Sequence, residues 1–158
     1  MAQLMTELRE RKIQAKPRFY KVDITIGKGT NPIVAGENGL SSITIQNVSF
    51  ILKRLSYQFI SPNGLSPAAN PLSLVPDSFL NVIWRTDSHV YATEPTSIAA
   101  MMGNPQNIRP IDLPSPVELQ PKATVTFEVS TQLPRLYPIT IQLVLAGVEP
   151  LSSSGDLV

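Results

Sequence analysis

Thr124-Val-Thr-Phe-Glu-Val129 and Ile139-Thr-Ile-Gln-Leu-Val-Leu145 are the two stretches that decide the fold of this chain. In the first, Val125, Phe127 and Val129 alternate with threonine and glutamate, and the second follows the same rhythm. A period of two places successive side chains on opposite faces of a β-strand, so each stretch predicts a strand with one buried face. Such a face must be covered by a second layer.

The same alternation recurs upstream, where it predicts further half-buried strands. The turn Thr86-Asp87-Ser88 is expected to join two of them into a hairpin. The apolar positions of three predicted strands are Tyr20, Val22, Ile24 and Ile26; Ile43 and Ile45; and Leu55, Tyr57 and Phe59. Two further predicted strands are residues 79–85, which contain Val82, Ile83 and Trp84, and the segment from His89 to Ala92.

Proline-rich connections separate these segments. Ten of the 15 prolines fall between Pro62 and Pro121, and we expect residues 61–77 and 93–121 to be long connections, with one helical turn over 97–102. The sequence lacks the strand–helix–strand alternation that is typical of a parallel sheet. Seven or eight alternating strands predict an all-β, antiparallel β-sandwich, for which jelly-roll connections are one possible arrangement.

The composition limits the possible functions. The chain has 158 residues, no cysteine, 16% charged residues and a net charge of +1. It is long enough for one domain to bury a core without a metal or disulfide, and the absence of cysteine excludes thiolate sites. No apolar run reaches the roughly 18–20 residues of a membrane span. We therefore expect no cofactor and no membrane partner.

Basic residues are concentrated near the beginning of the chain. Residues 1–28 carry seven lysines and arginines against three acidic residues. The spacing of Leu4, Met5, Leu8 and Ile13 predicts a short amphipathic helix over residues 3–13. We divide the chain into a basic arm (1–18), a sandwich domain (19–150) and a flexible tail (151–158).

The arm is the strongest candidate for partner binding. A protein surface, solvent and nucleic acid are the alternatives, and nucleic acid is the least supported because four net positive charges and few nearby aromatics give a weak phosphate-binding footprint. The predicted partner-binding residues are Leu4, Leu8, Arg9, Arg11, Lys12, Lys16 and Arg18.

Signals for catalysis and metal binding are weak. His89 is the single histidine and follows Asp87 and Ser88, but neighbours in sequence do not converge as a hydrolytic triad does. A more distant acid, Asp23 or Asp112, stays open as its partner. One histidine, no cysteine and no calcium-loop pattern argue against a metal site. We expect no catalytic residues, and an enzyme using His89 is the least favoured hypothesis.

Two other motifs have ordinary structural interpretations. Gly27-Lys28-Gly29-Thr30 lacks the first glycine and the following helix of a phosphate-binding loop, which favours a plain turn. Trp84, flanked by Val82 and Ile83, is expected in the core rather than at a sugar site.

One region of the chain resembles a known family. The proline-spaced residues 111–121, the strand 123–129 and the strand 139–147, which ends in a Leu-x-Gly step, resemble small β-sandwich virion proteins of tailed bacteriophages. In those proteins Pro-Gly often precedes the penultimate strand, whereas this chain has Pro121-Lys122. The resemblance covers about a quarter of the chain. It implies a capsid cement, decoration, head–neck or tail component, and supplies no catalytic residues.

The hypothesis from the sequence is thus a non-enzymatic structural protein of the virion. It would form a homo-oligomer or contact the major capsid protein or other virion subunits, with the arm reaching a neighbour. Deletion of residues 2–17 is expected to abolish incorporation. The alternative is a carbohydrate- or receptor-binding sandwich whose site is formed by the loops 61–77 and 93–121.

Overall fold

The computed structural model describes Thr6 and residues 14–28, 32–60, 80–91, 95–102, 112–134 and 138–151. Nearly all of its regular structure is β-strand, as the alternation predicts. The elements are β1 (Gln14–Ile26), β2 (Asn38–Thr44), β3 (Phe50–Ile60), β4 (Leu80–Thr86), β5 (Thr96–Ser97), α1 (Ile98–Met102), β6 (Asp112–Leu119), β7 (Thr124–Thr131) and β8 (Ile139–Leu151).

Among the described residues, the strands form two four-stranded antiparallel sheets. Sheet I has the order β1-β8-β3-β6, and sheet II has the order β2-β7-β4-β5. The first strand therefore pairs with the eighth, the second with the seventh, the third with the sixth and the fourth with the fifth. This nested pairing of eight strands in two sheets is the jelly-roll arrangement.

The core lies between the two sheets and contains the residues that the alternation selects. Tyr20, Ile24, Phe127 and Leu143 are buried, whereas the intervening Lys21, Asp23 and Gln142 face outward at exposed or half-buried positions. The side chains of both sheets form one continuous hydrophobic cluster. The predicted β-sandwich is confirmed, and so is the assignment of Trp84 to its core.

The region 93–121 is more structured than expected. It contains β5, the predicted helical turn α1 and the whole of β6. Pro114 and Pro116 had favoured a connection over a strand, because prolines are excluded from the central strands of a sheet. An edge strand, however, tolerates them. β6 is an edge strand of sheet I. The predicted loop 61–77 lies outside the described residues.

The predicted hairpin after β4 is only partly present. The turn around Asp87 and Ser88 is confirmed by backbone hydrogen bonds in both directions between Thr86 and His89. The predicted strand His89–Ala92 is wrong as far as the structure describes it, since only an isolated bridge joins Val90 to Arg85.

The turn before β7 places a lysine in a backbone conformation that favours glycine. Ala123 N donates to Gln120 O at 3.1 Å, and Lys122 between them has a φ of 64°. Proline in the second position and a positive φ in the third define a type II turn. The turn therefore has the geometry of a Pro-Gly turn although the sequence is Pro121-Lys122.

We expect Lys122→Gly to stabilise the protein by about 0.5–1 kcal/mol, because a Cβ in the left-handed region costs about 1–2 kcal/mol and glycine recovers part of this. Urea unfolding measures the change. The matched control is Lys122→Ala, which keeps the Cβ and should give no gain. Equal stabilisation by alanine would show that the lysine side chain, not its backbone conformation, is unfavourable.

Candidate interaction surface

The described residues do not form a catalytic centre around His89. His89 is exposed and its ring lies edge-on to Tyr91, with the ring centroids 4.7 Å apart. The Asp87 carboxylate accepts a hydrogen bond from Thr124 N at 3.1 Å. Of the distant acids, Asp23 binds Gln142 and Asp112 binds Arg54. The structure brings none of these carboxylates to the histidine.

The described residues contain neither a cluster of metal ligands nor a membrane-spanning helix. No group of three or more histidine, cysteine, aspartate or glutamate side chains there is arranged to hold a metal ion. No helix in the same part of the chain is long and apolar enough to cross a membrane.

Of the other two motifs, the glycine motif is described only as far as Lys28, and Trp84 lies in the core as predicted. Gly27 has a φ of 88° directly after β1, as a turn glycine does, while residues 29–31 lie outside the described residues. Trp84 is 3% exposed, and its ring stacks on that of Tyr91 with centroids 4.1 Å apart. A bound sugar therefore has no access to the indole face.

Most of the predicted arm lies outside the described residues, including Leu4, Leu8, Arg9, Arg11 and Lys12, and of the predicted helix only Thr6 is described. β1 begins at Gln14, so Lys16 and Arg18 belong to a strand of sheet I. At the other end of the chain, Leu151 is the last residue of β8 and pairs with Gln14.

The beginning of β1 and the end of β8 form a two-stranded ribbon. β8 pairs with β1 as far as Leu151, but with β3 only as far as Val148. The pairs from Lys16 with Glu149 to Gln14 with Leu151 therefore extend past the last pair between β8 and β3. The arm and the tail both join the sandwich at the end of this ribbon.

Arg18 has contacts within the sandwich. Its Nη2 donates to Gln46 Oε1 at 2.7 Å, its Nε lies 3.5 Å from Glu149 Oε1, and its guanidinium carbon lies 5.5 Å from the centre of the Tyr20 ring. The Tyr20 hydroxyl also donates to Glu149 Oε1. These contacts hold Arg18 over the end of the core, so it has a structural role besides any contact with a partner.

The outer face of sheet I divides into two halves. In one half, Gln142 Nε2 donates to Asp23 Oδ1 at 2.9 Å and Gln58 Nε2 donates to Gln142 Oε1 at 2.7 Å. These polar side chains satisfy one another across three strands. In the other half, next to the ribbon, the large apolar side chain of Phe19 is 62% exposed. This second half is the candidate interaction surface.

The register of sheet I aligns one residue from each strand across this surface. Phe19 of β1 pairs with Ala146 of β8, Ala146 with Arg54 of β3, and Arg54 with Asp112 of β6. Arg54 Nε donates to Asp112 Oδ1 at 2.7 Å, and this hydrogen bond lowers the pKa of the Asp112 carboxyl below its ordinary value. The pair fixes the position of the guanidinium beside the edge strand.

A β-bulge in β3 brings a second basic residue to the surface. Leu52 lies opposite Gly147 and Arg54 opposite Ala146, so Lys53 is one extra residue relative to β8. The bulge allows both Leu52 and Leu55 to remain in the core, each 0% exposed. Lys53 is exposed, and its positive charge contributes, after that of Arg54, to lowering the pKa of the nearby Asp112 carboxyl.

A cleft opens where β6 departs from the bulge. Between Val117 opposite Leu52 and Asp112 opposite Arg54, β6 passes residues 113–116 without regular pairing. Pro114 and Pro116 supply no N–H in this interval. The cleft has a volume of about 410 Å³ and is lined by Phe19, Lys53, Arg54, Asp112, Leu113, Pro116, Ala146 and Gly147. It combines apolar walls with two basic side chains and one acidic one.

The sequence contained signals for part of this surface. Phe19 has the parity of the exposed Lys21 and Asp23, so the same alternation that finds the core places Phe19 on the outside. That Phe19, Lys53 and Leu113 lie close together depends on strand order and register. The alternation of apolar and polar residues does not predict either of these.

Comparison with known proteins gave no match: no family model fits the chain, and neither a curated protein nor a solved structure is significantly similar to it.

Proposed function

We propose that this protein is a non-enzymatic structural component of a tailed-phage virion, a capsid cement, decoration or head–tail protein that stabilises the particle through contacts between subunits. Its partners are further copies of itself and the major capsid protein or another virion subunit. The proposal extends the resemblance seen in residues 111–147 and is compatible with the jelly-roll sandwich, an arrangement also used by capsid domains.

The observation that carries the proposal is the candidate interaction surface. An aromatic side chain as exposed as Phe19, beside a cleft with apolar walls, favours burial against another chain. Stable contacts between proteins bury about 1,600 Å² in total, so this surface would be one part of an interface.

The ribbon supports the same function. It is formed by paired strands, and it places Gln14 and Leu151, from which the arm and the tail continue, opposite each other at one end of sheet I. A terminal segment that continues from the edge of a sandwich is placed to contact a neighbouring subunit on assembly. The burial of apolar and backbone polar groups at many equivalent contacts would stabilise a shell without catalysis.

The experiment that tests the proposal removes the arm and leaves the sandwich intact. Residues 14–17 belong to β1, so a deletion of residues 2–17 would also damage the fold. The deletion of residues 2–13 avoids this. We expect the full chain, with a subunit mass of 17.3 kDa, to form a discrete oligomer and the shortened chain to lose subunits and incorporation into particles.

Two matched variants separate the contributions of the arm. Leu4→Ser with Leu8→Ser removes the apolar positions, and Arg9→Gln with Arg11→Gln and Lys12→Gln removes charge. Static light scattering on a size-exclusion column measures mass, and circular dichroism checks that the sandwich stays folded. An unchanged oligomer and normal incorporation after deletion of residues 2–13 would contradict the role of the arm.

A further inference from the structure

We infer that the cleft beside the β3 bulge binds the C-terminal segment of a second copy of this chain, residues 152–158. This inference rests on the proposed assembly function, which it deepens by naming one intersubunit contact. The segment has the sequence Ser-Ser-Ser-Gly-Asp-Leu-Val and follows β8 directly.

The chemistry of the segment matches that of the cleft. Asp156 supplies a carboxylate, and Leu157 and Val158 supply adjacent apolar side chains. The cleft offers the ammonium of Lys53 close to the apolar Phe19 and Leu113. A volume of about 410 Å³ is adequate for a few side chains of an extended peptide.

Charge complementarity favours the tail over the arm as the occupant. Lys53 and Arg54 outnumber Asp112 among the charged residues that line the cleft. The arm is rich in arginine and lysine and would be repelled there, whereas the only charged residue of the tail is Asp156. The tail thus pairs its acidic residue with the excess basic charge.

The length of the tail favours a second copy over the same chain. Gly147, which lines the cleft, lies four residues before Leu151, which is about 13 Å along a strand. Asp156 reaches at most about 17 Å from Leu151 when the chain is fully extended. A tail folding back onto its own cleft would have to reverse direction abruptly and then use about three quarters of that reach, while the tail of a neighbouring copy has no such constraint.

Zero-length cross-linking with a carbodiimide tests the inference, because it joins a lysine ammonium and a carboxylate in direct contact. In the full-length protein we expect mass spectrometry to identify a peptide linking Lys53 to Asp156. Co-expression of a Lys53→Gln chain with an Asp156→Asn chain permits this link only between copies, and we expect it to form there too. Each variant alone should give none.

A quantitative measurement uses a fluorescent peptide of residues 152–158 and the chain ending at Leu151. We expect Lys53→Gln to weaken binding about threefold to fivefold, as for an exposed ion pair, and Phe19→Ala to weaken it about tenfold. The matched control is Lys21→Gln, which removes a lysine from the same face of sheet I and should leave binding unchanged.

The possible outcomes differ for the tail contact and for the assembly function. A Lys53–Asp156 link that forms in the full-length protein but not in the co-expressed pair would place the tail on its own subunit and overturn the inference. Absence of the link in both would also overturn it. If the chain ending at Leu151 still forms the oligomer and enters particles, the tail does not hold subunits together and the inference is wrong. The proposed assembly function would not be contradicted by that result.

Discussion

Replacement of Trp84 by alanine should lower the free energy of unfolding by about 4 kcal/mol, the typical cost of removing a buried large aromatic side chain. Trp84 is 3% exposed, and its ring stacks with those of Tyr91 and Phe127, whose centroids are 4.1 and 6.1 Å away. Its removal leaves a cavity in sheet II and takes away both ring contacts. Because whole domains are stable by only about 5–15 kcal/mol, the variant should show a large shift in the urea midpoint.

The control for this experiment is the adjacent residue. Arg85 is exposed on the other face of β4, so Arg85→Ala should change stability by no more than about 0.5 kcal/mol. A Trp84→Ala protein of unchanged stability that loses binding to a glycan array would contradict the core assignment and favour the carbohydrate-binding alternative.

The buried faces of this protein are predictable from its sequence because burial follows a local period. In β7 and β8, the apolar residues that recur at every second position, from Val125 to Val129 and from Ile139 to Leu145, are buried between the sheets. No information about the rest of the chain is needed for that inference, since the pleat alone decides which side chains share a face. The same rule, applied to Phe19, would have found the centre of the candidate interaction surface.

The order of the strands in each sheet could not be predicted from the alternation of apolar and polar residues. The alternation in β1 indicates a buried face but not that β8, at the far end of the chain, is its partner. β6 was missed for a related reason: Pro114 and Pro116 exclude a central strand, and only the tertiary arrangement places β6 at an edge, where prolines are tolerated.

The cleft could not be predicted from the sequence, because it is formed by the pairing of strands that are far apart along the chain. The bulge at Lys53 exists only relative to β8, and the departure of β6 exists only relative to β3. Each irregularity exposes groups that a regular ladder would cover. The candidate interaction surface thus lies where the strand pairing of sheet I departs from regularity, whereas in the regular half of the sheet polar side chains bind one another.

Gly147 connects this irregular region to the stability of the fold, and Gly147→Ala should destabilise the protein by about 3 kcal/mol. A Cβ at position 147 would collide with the backbone carbonyl oxygen of Ile51 and lie 2.8 Å from Phe50 Cζ. Backbone in a paired strand yields less readily than the end of a long side chain. The bulge at Lys53 lies directly beside this contact, so relief of the collision would shift the strand that presents Lys53 and Arg54.

The comparison with Gly36 isolates the effect of close packing. Nothing lies within 4 Å of a Cβ built at Gly36, although its φ of 86° disfavours alanine. Gly36→Ala should therefore cost only about 1–2 kcal/mol, from the backbone conformation alone. If denaturant unfolding gave Gly147→Ala the smaller cost of the two, β8 and the bulged β3 would not be in the close contact described. In that case the geometry of the cleft floor, and with it the placement of Lys53 opposite the tail, would lose its support.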